Sequence, residues 1–295
     1  MEAAERRIRS GVDLGFHLRM AYAVSTVVII SFIGCRLTSI HTDISGSGIA
    51  ILVAFSMIAP LPIYWHGKGR TMFREAALVI PWELLLAIIL PFPVLIAARL
   101  HMPLQDPLLG HVDQWLRVSV PGIMAWAEHH WLGNAISSTY PLLQTMVVVA
   151  ALVPALVGKM KSAREFLFAN LVAFAIGVPM FALIPAIGPW YYFHLAPNSA
   201  QVYCWTQFQL LRSPGVFAFN SQGVGVVCFP SFHVIWTILS ASALWVFRPI
   251  RIPVALLAGM IILSTLTTGW HYFSDVLAGI AVAAISMVIA KIHAV

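Results

Sequence analysis

Charged residues are scarce in this sequence. Aspartate, glutamate, lysine and arginine together make up 9% of the 295 residues, whereas an ordinary soluble domain carries about 25%. Hydrophobic residues account for 60% of the chain, so most of it cannot face water. The composition therefore predicts an all-α, polytopic membrane protein, because backbone in a bilayer must satisfy its own hydrogen bonds within helices.

Cysteine is also rare, with only Cys35, Cys204 and Cys228 in the chain. No Cys-x-x-Cys pair occurs, which argues against a zinc or redox centre. Cys204 and Cys228 fall in one segment between predicted spans. A disulfide between them and two separate thiols are both compatible with the sequence.

The apolar runs predict about eight transmembrane helices. They cover residues 21–40, 49–65, 76–98, 140–158, 166–189, 231–247, 252–268 and 272–291. Prolines predict kinks in the third and fifth of these spans, at Pro81, Pro91, Pro93, Pro179 and Pro185. Residues 99–139 carry three tryptophans among polar residues, which predicts one or two helices lying in the membrane interface.

The basic residues predict the orientation of this bundle. With a cytoplasmic N-terminus, 13 of the 17 lysines and arginines fall on the cytoplasmic side, and only Arg36, Arg99, Arg117 and Arg212 fall on the other. The 13 are Arg6, Arg7, Arg9, Arg19, Lys68, Arg70, Arg74, Lys159, Lys161, Arg164, Arg248, Arg251 and Lys291. This asymmetry predicts that both termini are cytoplasmic, and it explains the net charge of +6 without nucleic-acid binding.

Two groups of polar residues lie at the non-cytoplasmic ends of predicted spans, and ionisable residues near spans are functional candidates. One is residues 229–233, Phe-Pro-Ser-Phe-His, and the other is residues 269–275, Gly-Trp-His-Tyr-Phe-Ser-Asp. His271 and Asp275 are four residues apart, which places them on one face of a helix. An aspartate that accepts from one imidazole nitrogen leaves the other nitrogen as a nucleophile.

Three further residues complete the candidate site. His233 can protonate a leaving oxygen and then activate an acceptor. Ser231, with the free N–H groups that open its helix, can bind an anion, and Arg212 can bind phosphate oxygens through its planar guanidinium. Ser231 as a plain helix cap and Arg212 as a solvated loop residue are the structural alternatives.

At these motifs the sequence resembles the type 2 phosphatidic acid phosphatase superfamily. Residues 230–233 match its Pro-Ser-x-His segment, and residues 271–275 match its His-x-x-x-Asp segment. The fuller strings, together with residues 185–190 and 211–215, resemble most closely the branch of inositol phosphorylceramide synthases and their bacterial relatives. The resemblance covers roughly residues 77–290.

The resemblance implies a six-helix catalytic core in residues 76–295, preceded in residues 1–75 by a cytoplasmic segment and two additional transmembrane helices. It also implies chemistry without a metal or other cofactor, and the predicted topology places the site on the non-cytoplasmic face. By this analogy His271 attacks phosphorus, Asp275 supports it, His233 acts as acid and then base, and Arg212 binds phosphate. Ser231 is the second predicted substrate ligand, on the strength of its position at the start of a helix. The partners would be a membrane lipid donor and an acceptor, either water or an alcohol; the oligomeric state stays open.

The sequence departs from the superfamily at two phosphate-binding segments. Residues 185–190 contain no basic residue, and Ser264 and Thr265 stand where the wider superfamily has Ser-Arg. Both departures favour an inositol-phosphoryl or similar phosphodiester over a polyprenyl pyrophosphate. A pyrophosphate substrate and a degenerate, inactive site remain the alternatives. A lipid transporter or scramblase is disfavoured, because Glu83 is the only acidic residue well inside a predicted span. A membrane haem protein would need paired histidines inside the bundle. His233 and His271 are both present, but Asp275 and Ser231 beside them suit phosphate better than haem.

Overall fold

The computed structural model describes residues 13–42, 71–219 and 227–293. Within these ranges the regular secondary structure is helical apart from two three-residue strands that pair in parallel, β1 (Ile40–Thr42) and β2 (Phe217–Phe219). The helices are α1 (Leu14–Leu37), α2 (Thr71–Ile89), α3 (Pro91–Arg99), α4 (Asp106–Trp115), α5 (Val120–His129), α6 (Trp131–Ser137), α7 (Leu142–Leu156), α8 (Met160–Leu183), α9 (Pro189–Tyr192), α10 (Ser199–Arg212), α11 (Phe232–Leu244), α12 (Arg251–Thr267) and α13 (Phe273–His293). The predicted all-α bundle is confirmed for this part of the chain.

Seven of the eight predicted spans correspond to helices in the described ranges, and the span at residues 49–65 lies outside them. Five segments are long and apolar enough to cross a membrane by length and composition, namely Leu14–Leu37, Ala76–Arg99, Met160–Leu183, Arg248–Thr267 and Phe273–His293. The bent pair α6 and α7 makes a sixth if it is one span, and α11 is apolar but shorter. The chain is thus a multi-pass membrane protein, while its division at residues 75 and 76 stays a prediction.

Proline breaks the third predicted span but not the fifth. Pro91 occupies the first turn of α3, so α2 ends at Ile89 and one uninterrupted helix is replaced by two. Pro179 lies inside α8, whereas Pro185 follows the end of that helix at Leu183. The prediction that Pro185 lies within a span was therefore wrong.

The segments between the spans hold more helices than the sequence indicated. Residues 99–139 form three short helices, α4 to α6, instead of one or two. Trp115 and Trp131 are each 81% exposed there, as expected of side chains at a membrane interface. Helix α10 was not predicted, although Asn198 and Gln201 form a capping box at its first turn.

Helix α1 makes polar contacts with the rest of the bundle at both of its ends. Near its start, the Trp82 indole N–H donates to His17 Nδ1 over 3.0 Å, and Arg164 pairs with Asp13 at 3.0 Å. Beyond its end, Arg99 Nε donates to the Thr38 carbonyl over 2.9 Å. The first predicted span is therefore part of the same packed unit as the later helices.

Helix α13 packs along α8 and α11. Gly279 of α13 makes this contact close, because a Cβ atom there would lie 2.8 Å from the Ser231 carbonyl oxygen and 3.0 Å from Val234 Cβ. Such a distance is too short for ordinary packing, so the glycine sets how near α13 approaches the start of α11.

We expect Gly279→Ala to destabilise the bundle by about 1–3 kcal/mol, because the methyl group must push α11 away. Thermal unfolding in detergent micelles measures this. Gly259→Ala on α12 is the matched control, since a Cβ there meets no atom within 4 Å and alanine is the better helix former by about 1 kcal/mol. A Gly279→Ala protein as stable as the Gly259→Ala protein would contradict the packing argument.

Candidate active site

His271 lies in the tight connection between α12 and α13. Gly269, with φ +70°, closes the end of α12 in the left-handed conformation that favours glycine. The backbone N–H of His271 then donates to the Thr265 carbonyl over 3.2 Å. The side chain is only 2% exposed, so the fold holds this imidazole inside the protein.

The hydrogen bonds of His271 determine its tautomer. Its Nδ1 lies 2.9 Å from the Cys228 carbonyl oxygen and 3.4 Å from Asp275 Oδ2. A carbonyl oxygen can only accept, so the proton is on Nδ1 and Nε2 has a free lone pair. Burial lowers the pKa of His271 to about 4, which keeps the ring neutral near pH 7. A neutral ring with an unprotonated Nε2 is the form that can act as a nucleophile.

Asp275 is completely buried in the first turn of α13. Its Oδ2 accepts from the Tyr272 N–H over 2.8 Å and from the Cys228 thiol over 2.9 Å. The predicted contact with His271 is present, but the Cys228 carbonyl is the nearer partner of that ring. Asp275 therefore orients His271 largely by holding Cys228 in place.

The sequence is compatible with Cys228 either as half of a disulfide with Cys204 or as a separate thiol. No disulfide joins it to Cys204, and both residues are in the described part of the chain. Burial and the neighbouring Asp275 raise the pKa of the Cys228 thiol, so it stays protonated and donates to the carboxylate. A thiol that acts through its hydrogen bond carries no signature in the sequence.

His233 is the second residue of α11 and faces His271. The two ring centroids are 5.7 Å apart, a separation that one phosphoryl group can bridge. Tyr140 stacks on His233 with centroids 4.2 Å apart, and its hydroxyl lies 3.4 Å from His233 Nδ1. The convergence of His233, His271 and Asp275 from separate segments is thus present, and Tyr140 is a neighbour that the sequence did not indicate.

Two cavities share His233. An outer cavity of about 240 Å³ is lined by both histidines and by an aromatic wall made of Tyr140, Trp190, Trp205, Phe208 and Trp270. An inner cavity of about 640 Å³ runs between α2, α7 and α8 and is mostly apolar, with Glu83 and Asn170 among its few polar residues. Among the described residues that line the outer cavity there is no lysine or arginine.

The structure does not bring Arg212 or Ser231 into the lining of the outer cavity. Arg212 lies behind the wall, with its guanidinium 4.9 Å from the Phe208 ring centroid and a hydrogen bond to the Met102 carbonyl. Ser231 is fully buried as the N-cap of α11 and accepts from the Val234 N–H over 3.3 Å. The structural alternative for Ser231 is therefore present, and substrate contacts by either residue stay predictions.

The Cys228, His271 and Asp275 side chains could also form a metal site, because their ligand atoms lie within 4.8 Å of one another. In the structure these atoms bond to each other and to backbone, through the thiol-to-carboxylate bond and the Nδ1-to-carbonyl bond. A metal ion would have to displace the protons of both bonds. The arrangement suits an imidazole nucleophile better than a ligand set, and the metal-free mechanism stays a prediction.

We expect Cys228→Ala to cost about 1–3 kcal/mol of stability, because it removes a hydrogen-bond donor from a buried carboxylate. Cys228→Ser keeps a donor at the same position and should lose much less. Thermal unfolding of both purified variants in detergent measures the difference. Equal stability of the alanine and serine variants would show that the thiol does not support Asp275.

Comparison with known proteins agrees with this geometry. The chain matches the PAP2 superfamily over residues 108–289, which include both histidine motifs and the wall of the outer cavity but begin later than the resemblance seen in the sequence. No curated protein and no solved structure matches the chain. The match spans more than half of the chain and contains the whole constellation of His233, His271 and Asp275, so the protein belongs to the PAP2 superfamily of phosphatidic acid phosphatase type 2 proteins.

Proposed function

We propose that the protein transfers a phosphoryl group from a membrane phospholipid through a phosphorylated His271, without a metal ion. The observation that carries this proposal is the hydrogen bond from His271 Nδ1 to the Cys228 carbonyl, which leaves Nε2 unprotonated beside His233. Membership of a superfamily that generally includes phosphatases supports the reaction class.

The proposed reaction has two steps. In the first, His271 Nε2 attacks phosphorus, the bond to the leaving oxygen breaks, and a protonated His233 gives its proton to that oxygen. In the second, an acceptor hydroxyl passes its proton to His233 while its oxygen attacks phosphorus. The P–N bond then breaks and its electron pair returns to Nε2. Asp275 stabilises the positive charge that develops on the His271 ring.

The charges around the site bear on the substrate. A pyrophosphate would bring more negative charge into a cavity whose described lining holds no cationic side chain. A phosphodiester, such as an inositol-phosphoryl lipid, brings less. We therefore propose a phosphodiester donor, with Arg212 as a phosphate ligand only if its side chain leaves the Met102 carbonyl.

The length of α11 supports the proposal that a lipid substrate reaches His233 from within the bilayer. Its 13 residues rise about 20 Å, whereas the hydrocarbon core is about 30 Å thick. Arg248 and Arg251 follow its C-terminal end and must lie near the membrane surface. If that end is cytoplasmic, as the distribution of basic residues predicts, His233 lies below the opposite surface, where a lipid can reach it sideways through the inner cavity.

Phosphoenzyme trapping tests the mechanism. Purified protein in detergent micelles is incubated with ³²P-labelled phosphatidylinositol or ³²P-labelled phosphatidic acid, quenched, and analysed for protein-bound label. We expect label that is stable in base and labile in acid, as a phosphoramidate is, and that is absent in His271→Ala. His233→Asn should slow both the formation and the loss of the label, because His233 is the acid of the first step and the base of the second. Label of unchanged amount in His271→Ala would remove His271 as the nucleophile.

A matched pair of substitutions on α7 tests lateral binding of the lipid chain. Val148 lines the inner cavity and is 52% exposed, whereas its neighbour Val149 is 37% exposed and does not line the cavity. We expect Val148→Trp to raise KM for long-chain phosphatidylinositol about tenfold by blocking the cavity, an effect of about 1.4 kcal/mol on binding. Val149→Trp should leave KM unchanged, and equal KM values for the two variants would contradict lipid binding in this cavity.

A further inference from the structure

Helix α4 places two buried aspartates against the segment that carries His271. Asp106 and Asp113 are 2% and 3% exposed. They are seven residues apart, which is two helical turns, and therefore share one face of α4. Neither residue belongs to the sequence motifs that point to phosphate chemistry, and neither lines the two cavities around His233.

Asp113 binds the backbone directly after the nucleophile. Its Oδ2 accepts from the Phe273 N–H and its Oδ1 from the Ser274 N–H, each over 2.8 Å. These are among the first N–H groups of α13, which have no partner within their own helix. A side chain from another helix therefore caps α13 and fixes where it begins, two residues beyond His271.

Asp106 binds on the other side of the nucleophile. Its carboxylate accepts from the Ile187 and Gly188 N–H groups at 2.8–3.1 Å and from the Tyr272 hydroxyl at 3.0 Å. Gly188 has φ +128°, and a Cβ atom there would lie 2.8 Å from the Trp270 carbonyl oxygen. The turn that Asp106 holds thus packs on the residue directly before His271.

The turn held by Asp106 also forms part of the outer cavity, since Ile187 lines it. The two aspartates therefore contact different parts of the site. Asp113 contacts only the nucleophile's side of the site, whereas Asp106 contacts both the nucleophile's side and the wall against which a substrate would lie. Loss of Asp113 should therefore affect the position of the nucleophile alone, whereas loss of Asp106 should affect both the nucleophile and substrate binding.

We propose that Asp106 and Asp113 are positioning residues through which the outer helix α4 sets the location of His271 and, through Asp106, of the substrate-binding wall. This inference rests on the proposed function for its kinetic part, while its structural part is independent of it. Misplacement of a reacting group by about 1 Å can cost about 100-fold in rate, so the loss of either aspartate should be visible in turnover.

The kinetic test compares kcat and KM for phosphatidylinositol in detergent micelles. We expect Asp113→Ala to lower kcat about 10- to 100-fold with KM changed less than about twofold, and Asp106→Ala to change both. Asp113→Asn keeps one acceptor oxygen and should recover part of kcat; it also serves as the milder variant if Asp113→Ala does not fold.

The matched control is Asp13→Ala. Asp13 is also an N-cap aspartate, because it accepts from the Phe16 N–H over 3.0 Å, and it pairs with Arg164, but it lies at the start of α1. We expect its loss to lower stability without lowering kcat. A kcat in Asp113→Ala that equals that of Asp13→Ala would overturn the positioning role.

Amide hydrogen exchange tests the same inference without turnover. Peptides that contain residues 271–275 should exchange faster in Asp113→Ala and Asp113→Asn than in the wild type or Asp13→Ala, and peptides with residues 185–190 should do so in Asp106→Ala. Unchanged exchange overturns the inference even if catalysis is observed. Absence of lipid turnover in the wild type with the expected exchange pattern would overturn the proposed function and leave the positioning contacts established.

Discussion

The hydrogen bond from His271 Nδ1 to the Cys228 carbonyl oxygen is the contact on which the candidate site depends. It fixes which ring nitrogen carries the proton, and it can do so only if residues 228 and 271 stay together. Asp275 holds them in this arrangement, because its carboxylate binds the Cys228 thiol and the Tyr272 N–H, while its carbonyl accepts from the Ser231 N–H over 3.2 Å. Ser231 then caps α11, which carries His233. One short set of bonds therefore positions both histidines.

Burial gives these bonds their effect on chemistry. In a low dielectric an unpaired charge is costly, so the buried His271 imidazole stays neutral and the buried Cys228 thiol keeps its proton. The lowered pKa of His271 and the raised pKa of Cys228 have this same cause. The same environment would penalise a highly charged substrate. The aromatic wall of the outer cavity and Thr265, which stands where the wider superfamily has an arginine, therefore both favour a substrate of lower charge.

The sequence predicts most of the fold and the three central residues, and it fails where backbone groups or distant helices decide the outcome. Apolar runs locate the helices because the membrane requires long apolar segments. His233, His271 and Asp275 are identifiable because their types and spacing are specific to the chemistry. The Cys228 carbonyl has no such signal, since every residue has a carbonyl. The stacking of Tyr140 on His233 and the capping of α13 by Asp113 depend on tertiary packing that no local pattern encodes.

The linings of the two cavities bear on the choice between water and an alcohol as acceptor in the proposed reaction. His233 is shared by an aromatic outer cavity and by a larger apolar inner one. Both linings disfavour bulk water, whereas an alcohol attached to a lipid chain can gain about 25 cal/mol for each Å² of apolar surface that it buries. Glu83 adds an unsatisfied carboxyl oxygen within the inner cavity, which a ligand with a hydrogen-bonding group can satisfy. In the proposed reaction these features favour transfer to a lipid alcohol over hydrolysis, because the acceptor that fills the cavity also excludes its competitor.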